Sequence, residues 1–220
     1  MSEPLSIIVY SDVICPWCYV GKRRLEAALG GPNVPAHFRF SWHPFELNPD
    51  MPAEGMERRS YRARKFGDAR SAELDRRMIE TGREIGIEFA FDRMQRTPNT
   101  RLAHRLIWEA DRQSHQDVVV ERLFHGYFEE ALDIGAPEVL ERLAMESGLE
   151  ADGVRAALTG ADSLDAVTHL EQEGYRMGIQ GVPFFILLRK YQVSGAQPPE
   201  FWRDTLLRIA AESTSAPSVS

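Results

Sequence analysis

Cysteine is scarce in this chain, with two among 220 residues. So few exclude a disulfide framework, and without a second pair or a His-rich segment at ligand spacing they exclude a four-ligand zinc site. Long apolar runs are missing as well, so no stretch is expected to span a bilayer. The opening Met1-Ser2-Glu3-Pro4 lacks a basic segment, an apolar segment and a cleavage site. No secretory signal is therefore expected, and the cytoplasm is the expected location. Unbroken basic charge is absent too: the net charge is −7. Arg58, Arg59, Arg62, Arg64 and Lys65 cluster, but Glu54, Glu57 and Asp68 flank them. That run reads as a solvated helix face, and no nucleic-acid partner is expected. Internal repeats are absent.

What is present centres on Cys15-Pro16-Trp17-Cys18. The preceding Leu5-Ser6-Ile7-Ile8-Val9-Tyr10 is a β-branched, apolar run that reads as a buried strand. After the pair, Val20, Leu25, Ala28 and Leu29 stand at helical spacing among Lys22, Arg23, Arg24 and Glu26. The cysteines thus lie where a strand ends and a helix begins. Unpaired amides and the macrodipole at a helix start favour a thiolate at Cys15. Pro16 fits the first helical position, and its missing N–H leaves the Trp17 and Cys18 amides as the expected donors to the sulfur. Cys18, one turn on, is placed to close a disulfide or resolve a mixed one. Inert core cysteines do not account for the junction, and a structural disulfide across so short a loop constrains little.

Gly30-Gly31-Pro32 breaks the first helix, and residues 36–42 alternate as a half-buried strand that His43-Pro44 stops. From about Ala53 to Ala166 nearly everything reads as helix. Candidates are Ser71–Gly86, Asn99 or Thr100 to Arg112, Asp117–Ala131, Ala136–Ser147, Ala151–Leu158 and Asp162–Met177. Gly86-Ile87-Glu88-Phe89 reads as a turn into an extended piece. Two short strands follow at Gly181–Leu188 and Tyr191–Ser194, with Arg189-Lys190 as a tight hairpin between them. A last helix runs from Glu200 to about Ala211, and Ser213–Ser220 reads as a disordered tail. Pro183 belongs at a strand start, and its isomer is left open by sequence.

The whole arrangement resembles the DsbA-like branch of the thioredoxin superfamily. Ser11-Asp12-Val13-Ile14-Cys15-Pro16-Trp17-Cys18-Tyr19-Val20-Gly21 resembles the active-site segment of FrnE-type dithiol-disulfide isomerases. Pro98-Asn99-Thr100-Arg101-Leu102-Ala103-His104, Gly181-Val182-Pro183-Phe184-Phe185 and Val193-Ser194-Gly195-Ala196-Gln197-Pro198 resemble three further motifs of that group, in order along the chain. The resemblance implies an α/β, thioredoxin-like fold with a helical domain inserted after the second strand. The thioredoxin-like part would comprise residues 1–52 and 167–212, the insertion 53–166 and the tail 213–220. It implies that Cys15 attacks, that Cys18 resolves, and that Pro183 is cis and faces the dithiol. Val182 would then pair with an extended substrate peptide. His104 is a candidate substrate contact on the insertion wall, or else a histidine satisfied at the domain interface. Asp12 would shuttle a proton for Cys18, brace its loop or cap the helix. Trp42 and His43 read as core edge.

The expected activity is thiol-disulfide exchange on proteins, as oxidase, isomerase or reductase. No metal and no organic cofactor is expected, because the dithiol carries two electrons itself. Expected partners are protein thiols and disulfides, with glutathione or a thioredoxin-type reductant as further candidates; no membrane is expected. Trp17 stands where strongly oxidising DsbA proteins have His, which implies a less oxidising pair. A glutathione-dependent enzyme of the kappa-class or 2-hydroxychromene-2-carboxylate isomerase type is the alternative. Those commonly carry Ser for the first cysteine and an acidic residue after the last strand, whereas this chain has Cys15 and Ala196-Gln197. A non-catalytic binding module is a third reading, which the intact dithiol opposes.

Overall fold

The computed structural model describes residues 5–31, 34 and 38–215, the last three by backbone only. Strand β1 (Leu5–Ser11) leads into helix α1 (Pro16–Leu29) and then β2 (Phe38–Pro44). A two-residue strand pair, β3 (Met56–Glu57) and β4 (Arg96–Thr97), brackets helices α2 (Arg58–Phe66) and α3 (Asp68–Glu84). Helices α4 (Arg101–Arg112), α5 (Gln116–Phe128), α6 (Pro137–Glu146), α7 (Ala151–Thr159) and α8 (Ala161–Arg176) follow. The chain closes with β5 (Phe184–Leu187), β6 (Tyr191–Ser194) and α9 (Pro199–Ser215).

The main sheet has the order β2-β1-β5-β6. Strand β1 runs parallel to β2 and antiparallel to β5, which pairs antiparallel with β6. The fold is mixed α/β with helices inserted between β2 and β5, as expected. As a central strand covered on both faces, β1 needs a nearly continuous apolar sequence, and Leu5–Tyr10 supplies one. Helix α8 packs so close behind it that a Cβ at Gly174 would fall 2.7 Å from the Tyr10 ring.

Several expected boundaries move. Strand β2 continues through His43 to Pro44, which pairs in register with Ser11. Strand β2 lies at the sheet edge, where a missing N–H costs little. Ala36 and His37 lie outside the described residues. The extended piece expected after Gly86 forms no ladder; instead the Ala90 amide donates to the Phe128 carbonyl at 2.7 Å. The hairpin corner is Leu188-Arg189, with φ of 51° and 56°, and not Arg189-Lys190. Helix α9 carries on to Ser215, into the expected tail, and residues 216–220 lie outside the described set. The division expected between residues 166 and 167 falls inside α8, a continuous helix.

A single buried cluster joins the sheet side to the inserted helices. It runs from Ile7, Val9, Tyr19, Trp42, Phe185 and Trp202 to Ile87, Leu106, Leu123, Phe124 and Phe128. Tyr19 on α1 stacks on Phe124 and Phe128 of α5, with ring centroids 5.1 and 6.0 Å away. Its hydroxyl donates to Glu129 Oε1 at 2.7 Å. Lys22, also on α1, is buried beneath Glu26, Asp117 and Glu121, which supply the opposing charge.

Candidate active site

Strand β1 ends at Ser11, and a turn closed by the Cys15 amide on the Asp12 carbonyl, 3.0 Å, delivers the chain to α1. Cys15 is the N-cap, with extended backbone, and Pro16 fills the first helical position without wasting a donor. No acidic residue stands in the first turn. The helix start therefore keeps its positive end for Cys15. The Cys18 amide, expected to face the sulfur, donates instead to the Cys15 carbonyl at 3.0 Å. Both cysteines are free thiols, Cys15 5% and Cys18 1% exposed. Burial pushes the Cys18 thiol well above its ordinary range, and the neighbouring Cys15 adds to this; Ser11 and the Asp12 backbone act the other way.

The Val182–Pro183 peptide is cis, and the loop carrying it lies against the dithiol. The Cys15 thiol points at the Val182 carbonyl, 3.7 Å away. The Pro183 carbonyl accepts from the Gly195 amide at 2.8 Å, tying this loop to the turn after β6. From α1, Arg24 reaches the Ala196 carbonyl at 2.7 Å and fixes the same turn.

Asp12 is fully buried and braces the loop. Its Oδ2 accepts from the Leu47 amide at 2.7 Å and its Oδ1 from the Ile14 amide at 3.4 Å. His104, from α4, brings Nε2 to 3.6 Å from Asp12 Oδ1. It is 4% exposed and lines a cavity of about 220 Å³ behind the loop, with Ser11 and His43. It takes no part in the cleft that holds Cys15. The substrate-wall position considered for His104 is thus not where the fold puts it, because the helix turns this residue toward Asp12.

That cleft encloses about 370 Å³. Ile14, Cys15, Pro16 and Trp17 form one side, and the inserted segment forms the other. Tyr61 and Phe66 of α2, Leu74 and Met78 of α3, and Phe91, Met94, Tyr127 and Phe128 supply an apolar lining. Tyr19 and Phe185 lie outside it as core residues, the latter packed edge-on against Trp202. Leu102 and Phe184 also lie outside the cleft.

The basic run at 58–65 proves to be part of this wall and not simply a solvated face. Arg58 and Arg62 share one carboxylate, Asp75, at 2.9 and 2.8 Å. Burial and the nearby Arg58 hold the Arg62 guanidinium below its usual range. Lys65 donates to Asn48 Oδ1 at 2.8 Å and to the Tyr61 hydroxyl at 2.7 Å, both uncharged oxygens. Arg77 is the fourth cation of the cleft lining, in which Asp75 is the one carboxylate. Arg58, Tyr61, Arg62 and Lys65 stand at i, i+3, i+4 and i+7, so their common helix face was readable in the sequence. Among the described residues, no three His, Cys, Asp or Glu stand together as a metal ion would require. Nor is any described helix long and apolar enough to cross a membrane.

Comparison with known proteins agrees with this geometry. The chain is 30% identical over 183 residues to the uncharacterized protein YwbO of Bacillus subtilis, covering 82% of this chain and 86% of that one. The crystal structure of a probable DsbA oxidoreductase from Streptomyces coelicolor superposes with a TM-score of 0.86 at 29% identity, covering 98% of this chain and 94% of that one. The cytosolic disulfide reductase DsbM of Pseudomonas aeruginosa, solved with GSH, shares the fold with a TM-score of 0.65 at 19% identity, covering 94% of this chain and all of that one. The DSBA-like thioredoxin domain model matches residues 6–207, and the chain belongs to that family.

Proposed function

We propose that the chain is a thiol-disulfide oxidoreductase of FrnE type in which Cys15 attacks and Cys18 resolves. One observation carries this reading. Cys15 caps α1 at the edge of an apolar cleft, and Cys18 lies buried one turn behind it. The end of such a pair that borders the cleft meets the partner's sulfur, and the deeper end completes the exchange. Val182 and Pro183 then act as the docking edge, where an extended partner pairs with backbone. Trp17 walls the entrance. The dithiol itself carries the two electrons, and a cytoplasmic site of action accompanies the reading.

Glutathione as co-substrate is a second reading, and the cationic cleft wall favours it. A lining with four cations and a single carboxylate suits a partner that carries its own carboxylates near the sulfur. The kappa-class or isomerase alternative is weaker here, because Cys15 and Ala196-Gln197 stand where those proteins commonly have Ser and an acid. Exchange activity of Cys15→Ser and Cys18→Ser beside the wild type, whose Cys15–Cys18 potential is measured against glutathione, tests the assignment. Cys15→Ser should lose exchange activity, and Cys18→Ser should accumulate mixed disulfides. Full activity in Cys15→Ser would refute the reading.

A further inference from the structure

Around a second cavity, which shares no lining residue with the cleft, three buried polar atoms lack hydrogen-bond partners within the protein. They are Ser11 Oγ, His43 Nδ1 and His104 Nε2. Their residues line the same cavity of about 220 Å³. Buried polar groups are rarely left unpaired, and each unpaired one costs about 1–3 kcal/mol. Three of them around one polar space large enough for water mark it as a place where water joins these side chains to one another.

Ser11 lines the cavity, and its hydroxyl acts to favour the Cys18 thiolate, although the two make no full hydrogen bond. Asp111, which is exposed on α4, lines the same cavity. His104 lines it as well, with Nε2 3.6 Å from Asp12 Oδ1. Glu171 of α8 also lies within electrostatic reach of His104. Behind it, Glu171 accepts from the Glu46 amide at 2.7 Å, and the Glu46 carboxylate is paired with Arg101. His43 forms part of the same lining; burial lowers its pKa, while Glu173 and Asp111 act in the opposite direction.

We propose that Ser11 and His104, with the water this cavity admits, form the proton route of the resolving cysteine. The proposal rests on the oxidoreductase reading. In the resolving step Cys15 is joined to the partner's sulfur. The Cys18 thiol gives its proton through the Ser11 hydroxyl and water to His104 Nε2, which then forms an ion pair with Asp12. The Cys18 sulfur attacks Cys15 Sγ, a Cys15–Cys18 bond forms, and the bond from Cys15 to the partner breaks. The partner leaves as a thiolate with the bonding pair, and the proton departs past His43 and Asp111 to solvent. His104 is thus a positioning and proton-holding residue that acts on Cys18 through Ser11. No carboxylate is required to touch the sulfur.

Stopped-flow reaction of the reduced full chain with dithiobis(nitrobenzoate) separates the two steps. Attack by Cys15 releases the first thionitrobenzoate, and resolution by Cys18 releases the second. The expected result is a second phase slowed about tenfold or more in His104→Gln near neutral pH, with the first phase unchanged. The deficit should close at alkaline pH, where hydroxide removes the proton directly. Ser11→Ala should show the same pattern more weakly, and it removes a hydroxyl that holds no hydrogen bond, so its fold is not at risk. A second phase unaltered in Ser11→Ala, together with a pH-independent or absent deficit in His104→Gln, overturns the route. If His104→Gln does not fold, Ser11→Ala decides alone. Absence of any thionitrobenzoate release from the wild type overturns the oxidoreductase reading, and the route with it.

Discussion

Gly21 on α1 sits directly against Pro183: a Cβ added to Gly21 would lie 3.0 Å from the proline Cγ. The Phe185 ring and the Ala196 Cβ close the other sides, at 3.4 and 3.5 Å. The helix that carries Cys15 and the loop that carries Pro183 are therefore seated so closely that a methyl group at Gly21 would press on the proline ring.

Replacing Gly21 by alanine should reverse the usual sign of that change. Within an exposed helix, Gly→Ala stabilises by about 1 kcal/mol. Here the new methyl meets a ring whose backbone is fixed, and overpacking costs about 1–3 kcal/mol. Denaturant midpoints should fall and exchange activity should fall with them. A raised midpoint would show that the loop gives way easily.

Cys15 should be alkylated well before Cys18 in the reduced protein at mildly acidic pH. Cys15 borders the cleft, and Cys18 is 1% exposed with its thiol held in the neutral form. Mass spectrometry of time points reads the order. Equal rates would remove the assignment of nucleophile.

Stability of the reduced protein should decline above about pH 9. The folded Cys18 keeps its proton beyond the ordinary value of 9.0, and Tyr10 keeps its own up to about 12 against an ordinary 10.0. The unfolded chain ionises first, binds fewer protons, and gains as pH rises; the stabilisation is complete below those ordinary values and is lost above them. Cys18→Ser should flatten the first part of the decline, between about pH 9 and 10, in denaturant titrations. An unchanged slope would exclude Cys18 as its source.

Trp17→His should make the pair more oxidising. A protonated imidazole beside Cys15 would stabilise the thiolate, which an indole cannot do, and so favour the reduced form. A shift of about 30 mV corresponds to 1.4 kcal/mol for this two-electron couple. Equilibration with glutathione buffers measures it. A shift toward more reducing values would contradict the electrostatic account.

Lys65→Glu should raise the KM for glutathione about fivefold or more, roughly 1 kcal/mol, and leave turnover with uncharged thiols unchanged. Lys65 is exposed and its oxygen partners are uncharged, so the fold should tolerate the change. Added salt should narrow the difference. Equal effects on charged and uncharged thiols would mean that the cationic wall does not read the partner's carboxylates.

Much of this was visible in the residues because local and global preferences agree. The apolar Leu5–Tyr10, the proline at the helix start and the lone cysteine pair all specify one strand-to-helix junction. The cleft was harder to see. Helix α2 has few apolar residues, and its Arg58-Tyr61-Arg62-Lys65 face gives the same polar pattern whether it meets water or a partly enclosed cleft. His104 lies on the buried face of α4, but periodicity states only that a residue is inside, not which cavity it meets. The Leu188-Arg189 corner carries no Asn-Gly signal, so only the strand pairing around it reveals the left-handed turn.

The shared core has a consequence for the choice of partner. Tyr19, Phe124 and Phe128 stack across the junction between the sheet side and the insertion, so widening the cleft would unstack aromatic rings and expose them to water. The opening around Cys15 should thus keep a nearly constant width, and the adaptation falls to the visitor. A disulfide held flat on the surface of a rigid protein cannot bend into such a slot. One carried on a slack, extended segment or on a small molecule can. The protein should therefore sort its partners by their pliancy as much as by their sequence.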